Sequence, residues 1–63
     1  MARLYERVML VRPVHLDFTG DVMEPGAEAT VVDLLDDGVV LIEFDLDAPE
    51  TVVSVHDIVP VSA

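Results

Sequence analysis

The stretch VDLLDDGVVLIEFDLD, residues 32–47, decides the fold. At its centre is Asp36-Asp37-Gly38, and an Asp-Gly pair between apolar runs is among the strongest short-range signals of a β-hairpin. The second half of the stretch, ending in IEFDLD (42–47), then alternates apolar and acidic residues, as expected of a strand with one buried face. The stretch therefore predicts two antiparallel strands joined by a tight turn.

The second strand of this hairpin carries apolar residues on both of its faces. Val40, Ile42 and Phe44 share one face and predict contact with a core. Val39 and Leu41 lie on the other face, where a strand of a half-exposed sheet usually carries polar residues. The sequence thus raises the question of what covers the second face.

The rest of the chain predicts an all-β domain. Short valine-rich runs are separated by turn residues, as is typical of small β-domains. We expect an irregular segment over residues 14–25, with a Pro-Gly turn at its end, and one turn of 3₁₀ helix at residues 56–58. The predicted strands are residues 6–12, 27–35, 39–45, 51–55 and 59–61.

This order predicts a single SH3-like five-stranded barrel over residues 1–63, with the 3₁₀ turn before the last strand. Closing a sheet into a barrel removes most exposed edges, which matters in a chain that is 52% hydrophobic. An OB-fold is the alternative. The chain is short for an OB-fold and lacks the helix usually found between its third and fourth strands.

The length and the absence of cysteine limit how the fold is stabilised. A chain of roughly 60 residues buries only about 60% of its unfolded surface. Folds below about 70 to 80 residues often rely on disulfides, a metal or association. With no cysteine in 63 residues, disulfides and thiolate metal sites are excluded. Dense apolar packing or association with a partner remains.

Charge is strongly acidic and unevenly distributed. The chain has 13 acidic and 3 basic residues, for a net charge of −10. Arg3, Arg7 and Arg12 all lie within the first 12 residues, and no Lys or Arg follows them. Nucleic-acid affinity comes largely from cationic side chains, so direct nucleic-acid binding is not expected. The charge has two interpretations. It keeps an apolar chain soluble, or it attracts a basic partner.

The sequence contains neither a secretory signal nor a membrane span. The N-terminus lacks the apolar stretch and cleavage site of a signal peptide, and no run approaches the ~20 apolar residues of a span. We therefore expect a soluble cytoplasmic protein. The initial methionine and the short strand-like end VPVSA suggest a complete small protein.

Four segments together resemble a family of small bacterial SH3-like proteins classified as a domain of unknown function, with KOW-type barrels as distant relatives. The resemblance implies a fold rather than an activity, and it implies that some members are partners of toxin or nuclease-like proteins. One departure is Ala29, where KOW-type motifs often have a second glycine. The segments are LYERVMLVRP (4–13), GDVMEPGAEATVVDL (20–34), VVLIEFD (39–45) and TVVSVHDIVPV (51–61).

Residues able to support catalysis or metal binding are few. His15 and His56 are the two histidines, and nothing resembles a glycine-flanked serine, a P-loop or a two-histidine metal motif. The acidic segments 33–38 and 45–50 lack the ligand spacing of a calcium loop. We expect a protein that is not an enzyme, with no metal and no cofactor.

The second face of the 39–45 strand is the candidate docking surface. Contiguous exposed apolar surface usually marks an interface, and Met9, Val11 and Val52 could join Val39 and Leu41 there. The alternative is that the early loop covers this face. Its lid residues would be Leu16, Phe18, Val22 and Met23.

The sequence therefore predicts a non-enzymatic acidic interaction module, antitoxin-like or immunity-like, that docks on a basic protein. Apolar contacts would hold the partner and carboxylates would steer it. The alternative is a structural accessory subunit, or a homodimer in which the arginines pair with a second copy. The predicted partner-binding residues are Val39 and Leu41 as anchors and Glu43, Asp45, Asp47 and Glu50 as acids.

Overall fold

The computed structural model describes residues 2–16, 19–45 and 50–61. It consists of strands and a single 3₁₀ turn, so the all-β prediction is confirmed. In chain order the strands are β1 (Arg7–Leu10), β2 (Val14–His15), β3 (Val22–Met23), β4 (Glu28–Asp36), β5 (Val39–Phe44), β6 (Thr51–Ser54) and β7 (Ile58–Pro60).

Five of the strands form one antiparallel sheet, in the order β6-β5-β4-β1-β7, while β2 and β3 pair separately. The expected closure of the sheet into a barrel is not observed, because β6 and β7 stand at opposite ends of this order. The segment predicted to be irregular contains the β2–β3 pair, so that part of the prediction is wrong. Strands of two residues are too short to leave an alternating pattern in the sequence.

The core lies on one side of the five-stranded sheet. Val40, Ile42 and Phe44 are buried as predicted, and so are Val8 and Leu10 on β1. Period-two alternation explains this result, since every second side chain of a strand points to the same face. Buried residues of the other segments complete the cluster, namely Leu16, Ala29, Val31, Val53 and Ile58.

The hairpin between β4 and β5 forms where the Asp-Gly signal predicts it. Gly38 has a positive φ of 78°, a conformation that glycine adopts without steric cost. The register of β4 against β5 shifts twice, between Val31 and Asp33 and again between Leu34 and Asp36. Each shift is a bulge that bends the strand and re-aims side chains. As a result Leu34 pairs with the buried Val40 and yet lies at an open end of the core.

The 3₁₀ turn spans Val55–Asp57, one residue earlier than predicted. Ser54 explains the shift, because its side chain accepts a hydrogen bond of 3.1 Å from the backbone N–H of His56. Such a cap satisfies a donor that the first turn would leave unpaired. The turn reverses the chain from β6 into β7 on the far side of the sheet.

The segment before β1 folds against β4 through a turn at Tyr5. The N–H of Tyr5 donates to the carbonyl of Val31 at 2.6 Å, and the N–H of Val31 donates to the carbonyl of Glu6 at 3.0 Å. Tyr5 has a φ of 64°, which is uncommon for a residue with a bulky side chain. The backbone contacts to β4 hold this residue in its strained conformation.

Candidate interaction surfaces

The outer face of β5 carries three of the predicted partner-binding residues. Val39, Leu41 and Glu43 alternate with the buried core positions of this strand. Leu41 pairs with Val52 of β6, whose side chain is 57% exposed. Val39 and Leu41 are half-buried, so this face is partly shielded and its most exposed apolar residue is Val52.

Two of the predicted acids lie together beyond this apolar pair. The register between β5 and β6 ends with Ile42 opposite Thr51. Continued by one residue, it places Glu43 opposite Glu50. Both residues are exposed, and like charges opposite one another in a sheet repel. Asp47, the remaining acid at this end of the strand, lies outside the described residues.

Asp45 is bound within the chain. Arg7 donates from Nη1 and Nη2 to the two carboxylate oxygens of Asp45, at 2.6 and 2.5 Å. It also donates to Thr30 Oγ1 at 2.9 Å and to Glu28 Oε1 at 3.3 Å. These hydrogen bonds hold the pKa of Asp45 below its ordinary value and raise the pKa of Arg7, each stabilising its partner's charged form.

Two of the three arginines offered to a second copy in the sequence-based hypothesis therefore have partners in their own chain. Arg7 joins Asp45 and Glu28, and Arg12 lies 3.5 Å from Asp57. The prediction of a homodimer held by these two arginines loses its main source of cations. Homodimerisation by other contacts stays a prediction.

The other residues proposed for the outer face of β5 lie elsewhere. Met9 pairs with Glu28 on β4 and with Val59 on β7, on the far side of the sheet from β6.

Leu16, proposed as part of a lid, joins the core cluster. Met23 packs against that cluster and Val22 is exposed. Phe18, the fourth lid residue, lies outside the described residues.

A groove of about 850 Å³ is lined by the β4–β5 turn, the 3₁₀ turn and β7. Its lining includes Val8, Val40 and Ile58, which are core residues reached from this side. At its mouth Leu34 and Leu35 are 47% and 43% exposed. A tightly packed interior leaves few voids larger than a water molecule, so the groove is a surface feature with an apolar floor.

Carboxylates line the same groove. Glu6, Asp36 and Asp37 contribute to its wall. Within the described part of the chain none of the three makes an ion pair. Glu6 accepts one hydrogen bond from the backbone N–H of Arg3, at 3.3 Å. The groove therefore combines apolar side chains with unneutralised negative charge.

Sequence reasoning did not identify this groove. The sequence places Leu34 and Leu35 on a predicted strand but does not show which of them is covered. The available signal was two successive leucines directly before the Asp36-Asp37-Gly38 turn, because alternation cannot bury both. The opening depends on how the β4–β5 turn lies relative to β7, and this placement has no signature in the sequence.

The described residues bring no cluster of metal-binding side chains together. His15 and His56 are both exposed and belong to different elements. Among residues 2–16, 19–45 and 50–61, no three His, Cys, Asp or Glu side chains are close enough to share a metal ion. The acidic segment 33–38 instead forms the end of β4 and its turn.

In the described ranges no helix is long and apolar enough to cross a membrane. No protein-family model, no curated protein and no solved structure matches this chain.

Proposed function

We propose that this protein is a non-enzymatic acidic interaction module that binds a basic protein through the groove lined by the β4–β5 turn and β7. The proposal is supported by the exposure of Leu34 and Leu35 beside three carboxylates that make no ion pair among the described residues. Exposed apolar surface of this kind usually marks an interaction site. The occupant is a segment with apolar side chains flanked by Lys or Arg.

Charge complementarity selects a basic occupant. The chain has a net charge of −10, and its fields therefore attract cations from beyond contact distance. Arg7 and Arg12 lie near carboxylates away from the groove. Glu6, Asp36 and Asp37 remain to meet cationic side chains at its wall. Apolar contacts then slow dissociation, while the carboxylates accelerate association and fix orientation.

The finer proposal is an antitoxin-like or immunity-like role. A basic enzyme that acts on nucleic acid presents a cationic surface to phosphates. An acidic module with an apolar anchor competes for that surface and covers it. The resemblance to proteins that accompany toxin or nuclease-like partners supports the same role.

The test is a titration of the isotope-labelled chain with the peptide acetyl-KRLLRK-amide, followed by nuclear magnetic resonance of the backbone amides. We expect the largest shifts at Leu34, Leu35 and Val59, and weaker binding as salt shortens the screening length from about 10 Å to about 3 Å. The control peptides acetyl-QQLLQQ-amide and acetyl-KRSSRK-amide separate the contributions of charge and apolar contact.

Variants locate the binding to the groove. Leu35→Ser should weaken binding of the peptide several-fold, because it removes an apolar contact at the mouth of the groove. Val22→Ser is the matched control, since Val22 is similarly exposed but is not part of the groove. If both variants bind the peptide with the same affinity, the groove is not the binding site. An affinity that does not change with salt concentration would favour the accessory-subunit alternative over a basic partner attracted by charge.

We also propose that the sheet is an open form of an SH3-like barrel. Its support is the strand order β6-β5-β4-β1-β7, the β2–β3 pair inserted between β1 and β4, and the single 3₁₀ turn before the last strand. An experimental structure in which β1 does not lie between β4 and β7 would contradict it.

A further inference from the structure

The free edge of β6 is a second surface, separate from the groove. This strand ends the five-stranded sheet, and among the described residues it pairs with β5 alone. Its backbone pattern is fixed by the N–H of Val55, which donates to the carbonyl of Gly38 at 2.9 Å. In an antiparallel pair the residues that exchange hydrogen bonds alternate with residues that do not.

The same alternation assigns the backbone groups of β6. With Val55 bonded to Gly38, the residues of β6 that bond to β5 are Val53 and Thr51, opposite Val40 and Ile42. Val52 lies between them, so its N–H and C=O point away from β5. Within the described ranges no other strand pairs on that side. Val52 therefore offers one donor and one acceptor at an open edge.

The two edge strands differ in their residues: β7 carries one that blunts strand pairing, and β6 carries none. Strand β7 ends in Pro60, which has no N–H to donate. Proteins commonly blunt exposed edges with proline, lysine or covering segments, because an open edge is a template for another strand. The TVVS sequence of β6 contains neither proline nor lysine. An edge left open in this way is available for pairing.

The side chains beside this edge select the pairing segment. Val52 is 57% exposed and contacts solvent next to Leu41. Glu50 lies two residues before Val52 on the same face, opposite Glu43 of β5. Neither glutamate makes an ion pair among the described residues. A cation placed beside Glu50 would relieve the repulsion between the two carboxylates.

We propose that the free edge of β6 accepts an extended segment of a basic protein by strand addition, with an apolar side chain beside Val52 and a Lys or Arg beside Glu50. Main-chain hydrogen bonds would supply affinity and the alternating side chains specificity. A second copy of this chain fits less well, because it brings another −10 of charge and two of its three arginines, Arg7 and Arg12, already have carboxylate partners. The proposal does not depend on the groove.

The peptide acetyl-TKTVTKT-amide tests the proposal, because its Lys and Val side chains share one face when it is extended. We expect it to protect the Val52 amide from hydrogen exchange and to shift the Glu50 amide, while the Leu34 amide stays unchanged. Methylating the backbone nitrogen of the central Val should weaken binding roughly tenfold, since the bonds to Val52 are lost. Methylating an adjacent Thr nitrogen, which faces away from the edge, should have little effect.

Protein variants give an independent check. Val52→Pro removes the outward N–H without breaking a bond to β5, a position where proline is tolerated in edge strands, and Val52→Thr is the matched control. The proposal would be overturned if the two methylated peptides bound equally well. It would also be overturned if acetyl-TETVTET-amide bound as tightly as acetyl-TKTVTKT-amide. A dimer in sedimentation that Val52→Pro dissociates would overturn it as well, because a second copy would then occupy the edge.

Discussion

The guanidinium of Arg7 and the carboxylate of Asp45 meet in a two-point hydrogen bond, although 38 residues separate them in the chain. The contact links β1 to the end of β5 across β4, where Arg7 also reaches Thr30. A bidentate arginine–carboxylate pair fixes orientation as well as charge. It therefore acts as a clamp across three adjacent strands at the edge of the outer face.

The first prediction concerns the strength of this clamp. Asp45→Asn should lower the melting temperature by at most roughly 5 °C, because exposed ion pairs contribute little to stability. After Arg7→Ala, the same change at Asp45 should have almost no further effect, since its partner is gone. Circular dichroism during heating measures all four proteins of the cycle. Additive effects would show that the two side chains do not interact in solution.

The second prediction concerns acid. The pKa of Asp45 is lowered in the folded chain, so its stabilising contribution is present above the unfolded pKa of about 4 and is lost as pH falls through the folded value. The difference in stability between the wild type and Asp45→Asn should therefore vanish in strong acid. Glu24→Gln is the control, because Glu24 is exposed and makes no ion pair among the described residues. Urea unfolding at several pH values measures the effect, and a constant difference would contradict it.

The third prediction separates the groove from the core. Ile42→Ala should cost about 2 to 5 kcal/mol, as large-to-small changes at buried positions do, because Ile42 is fully buried. Leu34→Ala should cost less than about 1.5 kcal/mol, since nearly half of Leu34 already contacts water. Urea denaturation gives both values. Comparable losses at the two positions would mean that the groove is closed in solution.

The fourth prediction concerns the turn before β1. Tyr5 has a φ of 64° and is 75% exposed, so its side chain loses little contact when removed. Tyr5→Gly should be more stable than Tyr5→Ala by roughly 1 kcal/mol, because only glycine adopts this conformation without a steric penalty. Thermal unfolding compares the two variants. Equal stability would show that the turn relaxes to a negative φ.

The main elements of the fold could be predicted because their signals are local. Val40, Ile42 and Phe44 alternate with less buried neighbours, and Gly38 marks the turn before them. The 3₁₀ turn begins one residue earlier than predicted, because Ser54 caps it. The β2–β3 pair was missed because two residues are too few to establish a period.

The candidate surfaces could be predicted only in part. Val39, Leu41 and Glu43 share one face, as alternation requires, and the register brings Glu50 beside them. The pairing of Asp45 with Arg7 was not predictable, because it depends on β1 lying next to β4. Sequence separation carries no information about such neighbours.

By itself, the sequence determined that this chain forms strands, that Val40, Ile42 and Phe44 face the core, and that its charge is strongly acidic. These properties follow from residue type and from a period of two, which operate over a few neighbouring positions. Only the tertiary structure decided that the sheet stays open, that Leu34 and Leu35 border a groove, and that Asp45 is held by Arg7. These features depend on strand order and on bulges, which arise from contacts between segments distant in the chain.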